Sequence, residues 1–189
     1  MRLLCLALLL LLPACSHRPP VPQDQAIIAP GLSIAVPGPE AIGKDAVVSQ
    51  TVTAQFGGQS FTLQGYLNLG PASFELAALD GFGRRLFTIH WQNGSFDYQP
   101  TPAMPSELRP ANMLADLALI YWPADALRPV LAPAGATLTE TAASRSISFG
   151  GQEVIHIDYE TGRGWTGHAA YRNLAFGYTL GIRSVEVPP

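Results

Sequence analysis

Charge is scarce in this chain. Charged residues make up 13% of it, against about 25% in a typical soluble domain. Such a chain has few side chains with which to cover an ordinary wetted surface. It must bury apolar area well, leave some exposed, or meet something apolar. The net charge is -3, and no basic patch interleaved with aromatics occurs, which sets nucleic acid aside as a partner. Cysteine is limited to Cys5 and Cys15. Motifs for bound cofactors are missing as well. Gly81-x-Gly83 is too short for a dinucleotide fingerprint and lies outside any βαβ unit. Ser95 and Ser106 lack the context of a nucleophile elbow. Of His17, His90, His156 and His168, His156 shares a strand face with Asp158, and His168 falls on the next strand. No third ligand has zinc-site spacing, so a polar outer face is the favoured reading over a metal or acid–base site. The chain is therefore read as a non-enzyme without metal or cofactor.

The N-terminus is informative. Met1-Arg2 is a short positive segment, and Leu3 to Leu12 is an apolar run. A run of about ten residues has the length of a signal-peptide core and is too short to span a bilayer. It ends in Leu12-Pro13-Ala14-Cys15, which resembles the bacterial lipobox, although Pro13 departs from the usual residue at the tolerant position. The resemblance implies a signal peptide over 1–14, cleavage before Cys15, a diacylglyceryl group on its sulfur and a fatty acyl chain such as palmitate on its amine. One acyl chain binds membranes marginally, whereas several make the attachment effectively permanent. Ser16, rather than Asp, follows the cysteine. In lipoprotein sorting that implies the outer membrane, with the protein on its periplasmic face. With Cys5 removed, no intramolecular disulfide can form.

Residues 15–44 read as a lipidated cysteine and a proline-rich tether, with Pro19, Pro20, Pro22, Pro30, Pro37 and Pro39. Its apolar Ile27, Ile28, Leu32 and Ile34 suit docking of the second half on the domain. Residues 45–189 read as one domain. Its first block has strands over 47–56, 59–69, 72–79, 84–92 and 95–99. Phe61, Leu63, Leu67 and Leu69 alternate with polar residues, and Gly65 on their side suits relief of crowding in a curved sheet. Phe74 and Leu76 share a face of the next strand. Asn93-Gly94 is a strong hairpin signal. A second block has strands over 136–141, 144–149, 153–160, 165–174 and 176–187.

Between the blocks lies a helical insert, 110–132. Met113, Leu117, Ile120 and Leu127 fall on one helical face, with Asp116 and Asp125 off it. Pro123 ends a first helix near Trp122 and starts a second in its own first turn. The expected fold is mainly β: about ten antiparallel strands in a half-barrel, with a two-helix lid over a hydrophobic hollow.

Taken together, the lipobox, Leu63-Gln64-Gly65-Tyr66-Leu67-Asn68-Leu69, the Asp116-Leu117-x-Leu119-x-Tyr121-Trp122-Pro123 stretch and the closing Tyr171-Arg172-Asn173 with Tyr178-x-Leu180-x-Ile182 resemble the DUF3261 lipoproteins. More remotely, the layout is similar to the LolA/LolB lipoprotein carriers. That resemblance implies a cavity for acyl chains, lined by Phe61, Leu63, Leu67, Leu69, Phe74, Leu76, Met113, Leu117, Ile120 and Trp122. It implies a membrane-insertion loop at Phe82. The cargo would be lipoprotein acyl chains or an exported lipid such as an aryl polyene, handed over without catalysis, with a periplasmic LolA-like carrier as a partner. The alternative is a structural or assembly lipoprotein that binds another envelope protein.

Overall fold

The computed structural model describes residues 24–102, 104 and 108–188; Cys15 and the lipobox lie outside the described residues. Ten strands form one open antiparallel sheet: β3 (Ala46–Phe56), β4 (Gln59–Leu69), β5 (Ser73–Leu79), β6 (Arg85–Gln92), β7 (Ser95–Pro100), β8 (Ala136–Glu140), β9 (Ser144–Phe149), β10 (Gln152–Tyr159), β11 (Gly167–Asn173) and β12 (Tyr178–Val187). The spatial order is β7-β6-β5-β4-β3-β12-β11-β10-β9-β8. Each block is thus a simple meander, and the two meet where β3 pairs with β12 from Phe56↔Tyr178 to Val47↔Val187.

The sharp turns have the chemistry they require. Gly57-Gly58, Asn93-Gly94 and Gly150-Gly151 all have positive φ at both positions. That matches the two-residue turns whose twist suits a hairpin. Gly65 is different. A Cβ there would meet Leu67, Leu76 and Gln50 at 3.5–3.7 Å, ordinary contact, so this glycine relieves no crowding.

One sheet face is apolar and concave. Along β3 and β4 it carries Val48, Leu67 and Leu69, along β5 and β6 Phe74, Ala78, Phe87, Ile89 and Trp91, and across the second block Ile147, Ile155, Ile157, Ala169, Tyr171 and Ile182, all buried. Two helices lie in the hollow, α1 (Pro110–Tyr121) and α2 (Ala124–Leu131). Pro123 stands just ahead of α2, extended at ψ 150°, rather than inside its first turn. It still separates the helices, because its ring disfavours helix at the residue before it.

The N-terminal segment departs from a simple tether. Gln25–Ala29 (β1) and Leu32–Ala35 (β2) form a separate hairpin. Ala26, Ile28, Leu32 and Ile34 are buried, and β1 packs on α1. Asn112 Oδ1 accepts from the Ile27 amide at 2.9 Å, and Asn173 Nδ2 donates to the Ile28 carbonyl at 3.0 Å. Helix α1 is thus enclosed between sheet and hairpin, which explains why its buried residues (Ala111, Leu114, Ala115, Leu117, Ala118, Leu119 and Ile120) spread well beyond one stripe.

Polar anchors fix the helix end. Arg145 on β9 is 2% exposed. Its Nη1 donates to the carbonyls of Leu119 at 2.6 Å and Trp122 at 2.9 Å, while Glu140 accepts from Nε and Nη2. A cation thereby meets the carbonyl end of α1, where the helix dipole favours positive charge. Trp122 is 1% exposed. It packs between Phe74 and Trp165, with ring centroids 6.4 and 6.1 Å away, and its indole donates to the Gly38 carbonyl at 3.0 Å. Replacing Arg145 by Leu should lower unfolding stability by about 3 kcal/mol, because it leaves the Leu119 and Trp122 carbonyls without their buried donor and Glu140 with Arg163 as its remaining partner. Lys should not rescue it, since it lacks the planar fork. Urea denaturation of the three proteins checks this.

Candidate functional site

The concave face has two halves. At one end the helices and the hairpin fill it. At the other end the hairpin and α1 still cover the β11–β12 side, where Ile28 meets Asn173 and Asp116 meets Tyr178, but they do not reach the β3–β4 corner. There Val52 and Ala54 on β3, Leu63 on β4, and Tyr178 and Leu180 on β12 are only half-buried. Register places Val52 beside Leu63 and Ile182, and Ala54 beside Phe61 and Leu180. The result is an apolar strip open at the mouth of the trough.

The residues expected to line a cavity divide accordingly. Leu67, Leu69, Phe74, Ile120 and Trp122 are deep in the packed core, and Leu117 is 8% exposed. Leu63 is half-buried at the mouth, Met113 is half-buried in the first turn of α1, and Leu76 is half-buried in the row of Leu67 and Ile89, away from the mouth. Phe61 is 56% exposed and stands on the rim. The structure does not bring the ten into one lining. Their alternation fixed which face they share, but the depth of each depends on how far the helices extend over the sheet.

The rim gathers apolar side chains. Antiparallel order puts the β3–β4, β5–β6 and β11–β12 turns at this end of the sheet. They carry Phe56 and Phe61, Phe82, and Leu174 and Phe176, all exposed, and Leu108 is exposed just before α1. Phe82 is 87% exposed. Its loop is nonetheless well ordered by hydrogen bonds: Asp80 Oδ1 accepts from the amides of Phe82 and Arg84, both at 2.9 Å. The Arg84 guanidinium pairs with Asp80 and sits 5.4 Å from the Phe82 ring. An open groove of about 420 Å³ runs along the tip, between Phe56, Gly57, Gly58 and Gly177. The described chain also enters here: Arg109, just ahead of α1, donates to the Gln25 carbonyl at 3.2 Å.

One acidic side chain lies under the helix near the mouth. Asp116 is off the apolar stripe of α1, as its spacing predicts, but it does not face water freely. Tyr171 donates to Oδ1 at 2.5 Å and Tyr178 donates to the same carboxylate at 2.7–2.8 Å. Loss of hydration raises its pKa to about 6, opposed by the two phenolic hydrogen bonds. Burial and the adjacent carboxylate in turn hold both phenols well above their ordinary value. Helical spacing alone could not place this residue, because the hairpin behind α1 and the two tyrosines that receive it are remote in sequence. The signal available was a pair of tyrosines on the adjacent strands β11 and β12.

His90, His156 and His168 lie elsewhere, on the outer face. His156 Nδ1 meets Glu153 Oε1 at 2.6 Å and Nε2 meets Asp158 Oδ1 at 3.1 Å, while Arg172 donates to Asp158 at 2.8 Å. Ser146 donates to Glu153 at 2.5 Å. The Glu153 contact raises the His156 pKa, loss of hydration opposes it, and Asp158 adds to the rise. His168 pairs with Glu160, and His90 with Glu75. The carboxylates of Glu153 and Asp158 thus occupy opposite edges of one ring rather than converging on a point. Among the described residues no cluster of three or more His, Cys, Asp or Glu side chains could hold a metal ion.

The arrangement defines a class: an open antiparallel sheet with two helices in its hollow, a partly covered apolar mouth and an apolar rim. The family described as "Protein of unknown function (DUF3261)" matches residues 47–186, and the chain belongs to that family. No curated protein matches it. The match begins after the β1–β2 hairpin, so it covers the whole large sheet and both helices.

Asp116 makes a pH prediction. Its folded pKa stands above the unfolded value of 3.8, so its contribution to stability is fully present below about pH 4 and is lost as pH rises through about 6. Asp116→Asn removes this titration. The variant should gain most over the native protein at pH 7.5, and the gain should shrink toward pH 4.5. Melting temperatures of both proteins across that range test it; a difference constant with pH would contradict the assignment.

Proposed function

We propose that this protein is a lipid-anchored periplasmic protein, held at the outer membrane through Cys15, that holds or passes a hydrophobic molecule at the mouth of its trough without covalent chemistry. The observation that carries the reading is the co-location of the apolar rim and the half-covered strip. Exposed aromatics on surface turns are costly to leave in water, and here they ring the one place where the concave face is uncovered. The described chain starts at the same end. An anchor upstream of residue 24 would therefore draw the rim, Phe82 included, toward the bilayer. An open sheet with helices in its hollow is also the layout of the LolA/LolB-like carriers, whose acyl-chain cargo is the natural comparison. A LolA-like carrier delivering cargo, or an exported lipid such as an aryl polyene as the cargo, both suit an apolar mouth.

A specific observation favours a second reading. The space beneath the helices is filled by Trp122, Leu114, Leu119, Ile120 and Leu127, none more than 1% exposed. A packed interior with an apolar rim also suits an assembly lipoprotein that presses the rim against another envelope protein.

The two readings separate in a binding measurement. The chain carrying Cys15→Ser should increase the fluorescence of an apolar, environment-sensitive naphthylamine probe. Leu63→Glu, which puts a charge on the open strip, should weaken that binding about tenfold. No fluorescence gain, together with no co-purifying lipid in native mass spectrometry, would contradict the cargo reading and leave the assembly reading in place.

A further inference from the structure

The mouth of the trough has a polar group that a purely apolar cargo would not use. The Asp116 carboxylate offers about four lone-pair sites. It receives one proton from the Tyr171 hydroxyl and one from the Tyr178 hydroxyl. No basic side chain contributes to its electrostatic surroundings among the described residues. Each phenol has only one proton, so Tyr178 can satisfy one of its two short contacts at a time. The carboxylate is therefore left short of donors and without a countercharge. A buried charge is costly unless paired and fully hydrogen-bonded.

Its position is equally telling. Tyr171 is fully buried, whereas Asp116 and Tyr178 remain half-accessible. Tyr178 opens β12 beside Phe56, and Leu180 follows on the same face beside Ala54. The strip of Val52, Leu63 and Leu180 begins where this carboxylate sits. If Asp116 served only to latch α1 to the sheet, an uncharged amide could accept from a tyrosine without the cost of a buried charge.

We propose that Asp116, held in place by Tyr171 and Tyr178, is the polar anchor of an amphiphile-binding site at the mouth, which takes a molecule with a hydrogen-bond-donating head, hydroxyl or ammonium, and an apolar tail laid along Val52, Leu63 and Leu180. This rests on the cargo reading above and narrows it. A donor head fills the vacant lone pairs, and an ammonium also supplies the missing countercharge. A carboxylate or phosphate head at the same place meets like charge in a partly desolvated site and is rejected. The expected cargo is thus a hydroxylated or cationic lipid rather than a free fatty acid.

The test uses the full chain, in its membrane-anchored form, in phosphatidylcholine vesicles. Three photoactivatable probes with the same twelve-carbon diazirine tail are compared: an alkyl ammonium, an alcohol and a carboxylate. Adducts are mapped by peptide mass spectrometry. The ammonium and alcohol should label peptides containing Val52, Leu63 or Leu180 at least fivefold more than the carboxylate. In Asp116→Asn the ammonium should lose its advantage and fall to within twofold of the carboxylate, while the alcohol still labels. Tyr178→Phe, which keeps the ring and the charge, should retain the ammonium preference. Probe partition into the bilayer is common to native and variant proteins and cancels in the comparison. Equal labelling by all three heads in the native chain, or a head preference unchanged in Asp116→Asn, overturns the anchor while leaving an apolar cargo site intact. Absence of labelling at the mouth by any probe overturns the cargo reading itself, and the anchor with it.

Discussion

An antiparallel sheet that does not close on itself must hide its concave face, and most of this molecule follows from that constraint. Ten strands in two meanders present a row of Val, Leu, Ile, Phe and Tyr side chains on one side. Each of the larger ones returns about 1.5–3 kcal/mol when removed from water, so leaving the face bare would forfeit much of the folding free energy. Helices α1 and α2 cover it, and the β1–β2 hairpin covers α1 in turn. Several polar groups that this layering buries find partners, although Trp91 Nε1, Tyr98 Oη and Thr101 Oγ1 have none among the described residues. Arg145 closes the carbonyl end of α1. Gln50, Tyr121 and Ser184 bond one another at 2.8–3.1 Å where α1 ends over the sheet. Tyr159 donates to the Ile120 carbonyl at 2.7 Å. Among the described residues, Asp116 is the member of this set with a charge and no partner of opposite sign.

The cover stops short of the β3–β4 end, and the character of the surface changes there. The covered half is a packed core around Trp122. The uncovered half grades from half-buried Val52, Leu63 and Leu180 to fully exposed Phe82. On the proposed reading, stability and recognition are divided along the strands, with one end serving the fold and the other meeting an apolar partner. This also gives a physical reason for the low charge noted in the sequence. On that reading, a surface that rests on, or receives, something greasy carries few Lys, Glu and Asp.

Much of this was legible in the residues. Period-two alternation and paired turn residues locate all ten strands of the sheet to within two residues; the difference is widest at the start of β12 and, in the same measure, at the start of β11. There, Trp165 belongs to the preceding turn and stacks on Tyr121 at 4.2 Å. Pro123 marks the break between the helices. The β1–β2 hairpin was harder to read because its prolines suggest an extended tether. Its signal was present in Ala26/Ile28 and Leu32/Ile34 alternating about Pro30-Gly31. The candidate site was less legible than the fold. Alternation told which residues share the concave face, not which half of it is covered, so Trp122 and Phe61 looked equivalent although one is sealed and the other stands in solvent. Asp116 could not be placed without knowing that α1 is covered from behind.

The central claim is that the rim end of the sheet faces lipid. The direct measurement places a bromine-quenchable indole at the rim, as Phe82→Trp, and reads its quenching by phosphatidylcholines brominated along the acyl chain. The three native tryptophans, Trp91, Trp122 and Trp165, are each at least 92% buried and set a constant background. The account predicts strong quenching of the added indole with a blue-shifted emission. Emission at the wavelength of water-exposed indole, unchanged by the brominated lipid, would contradict it.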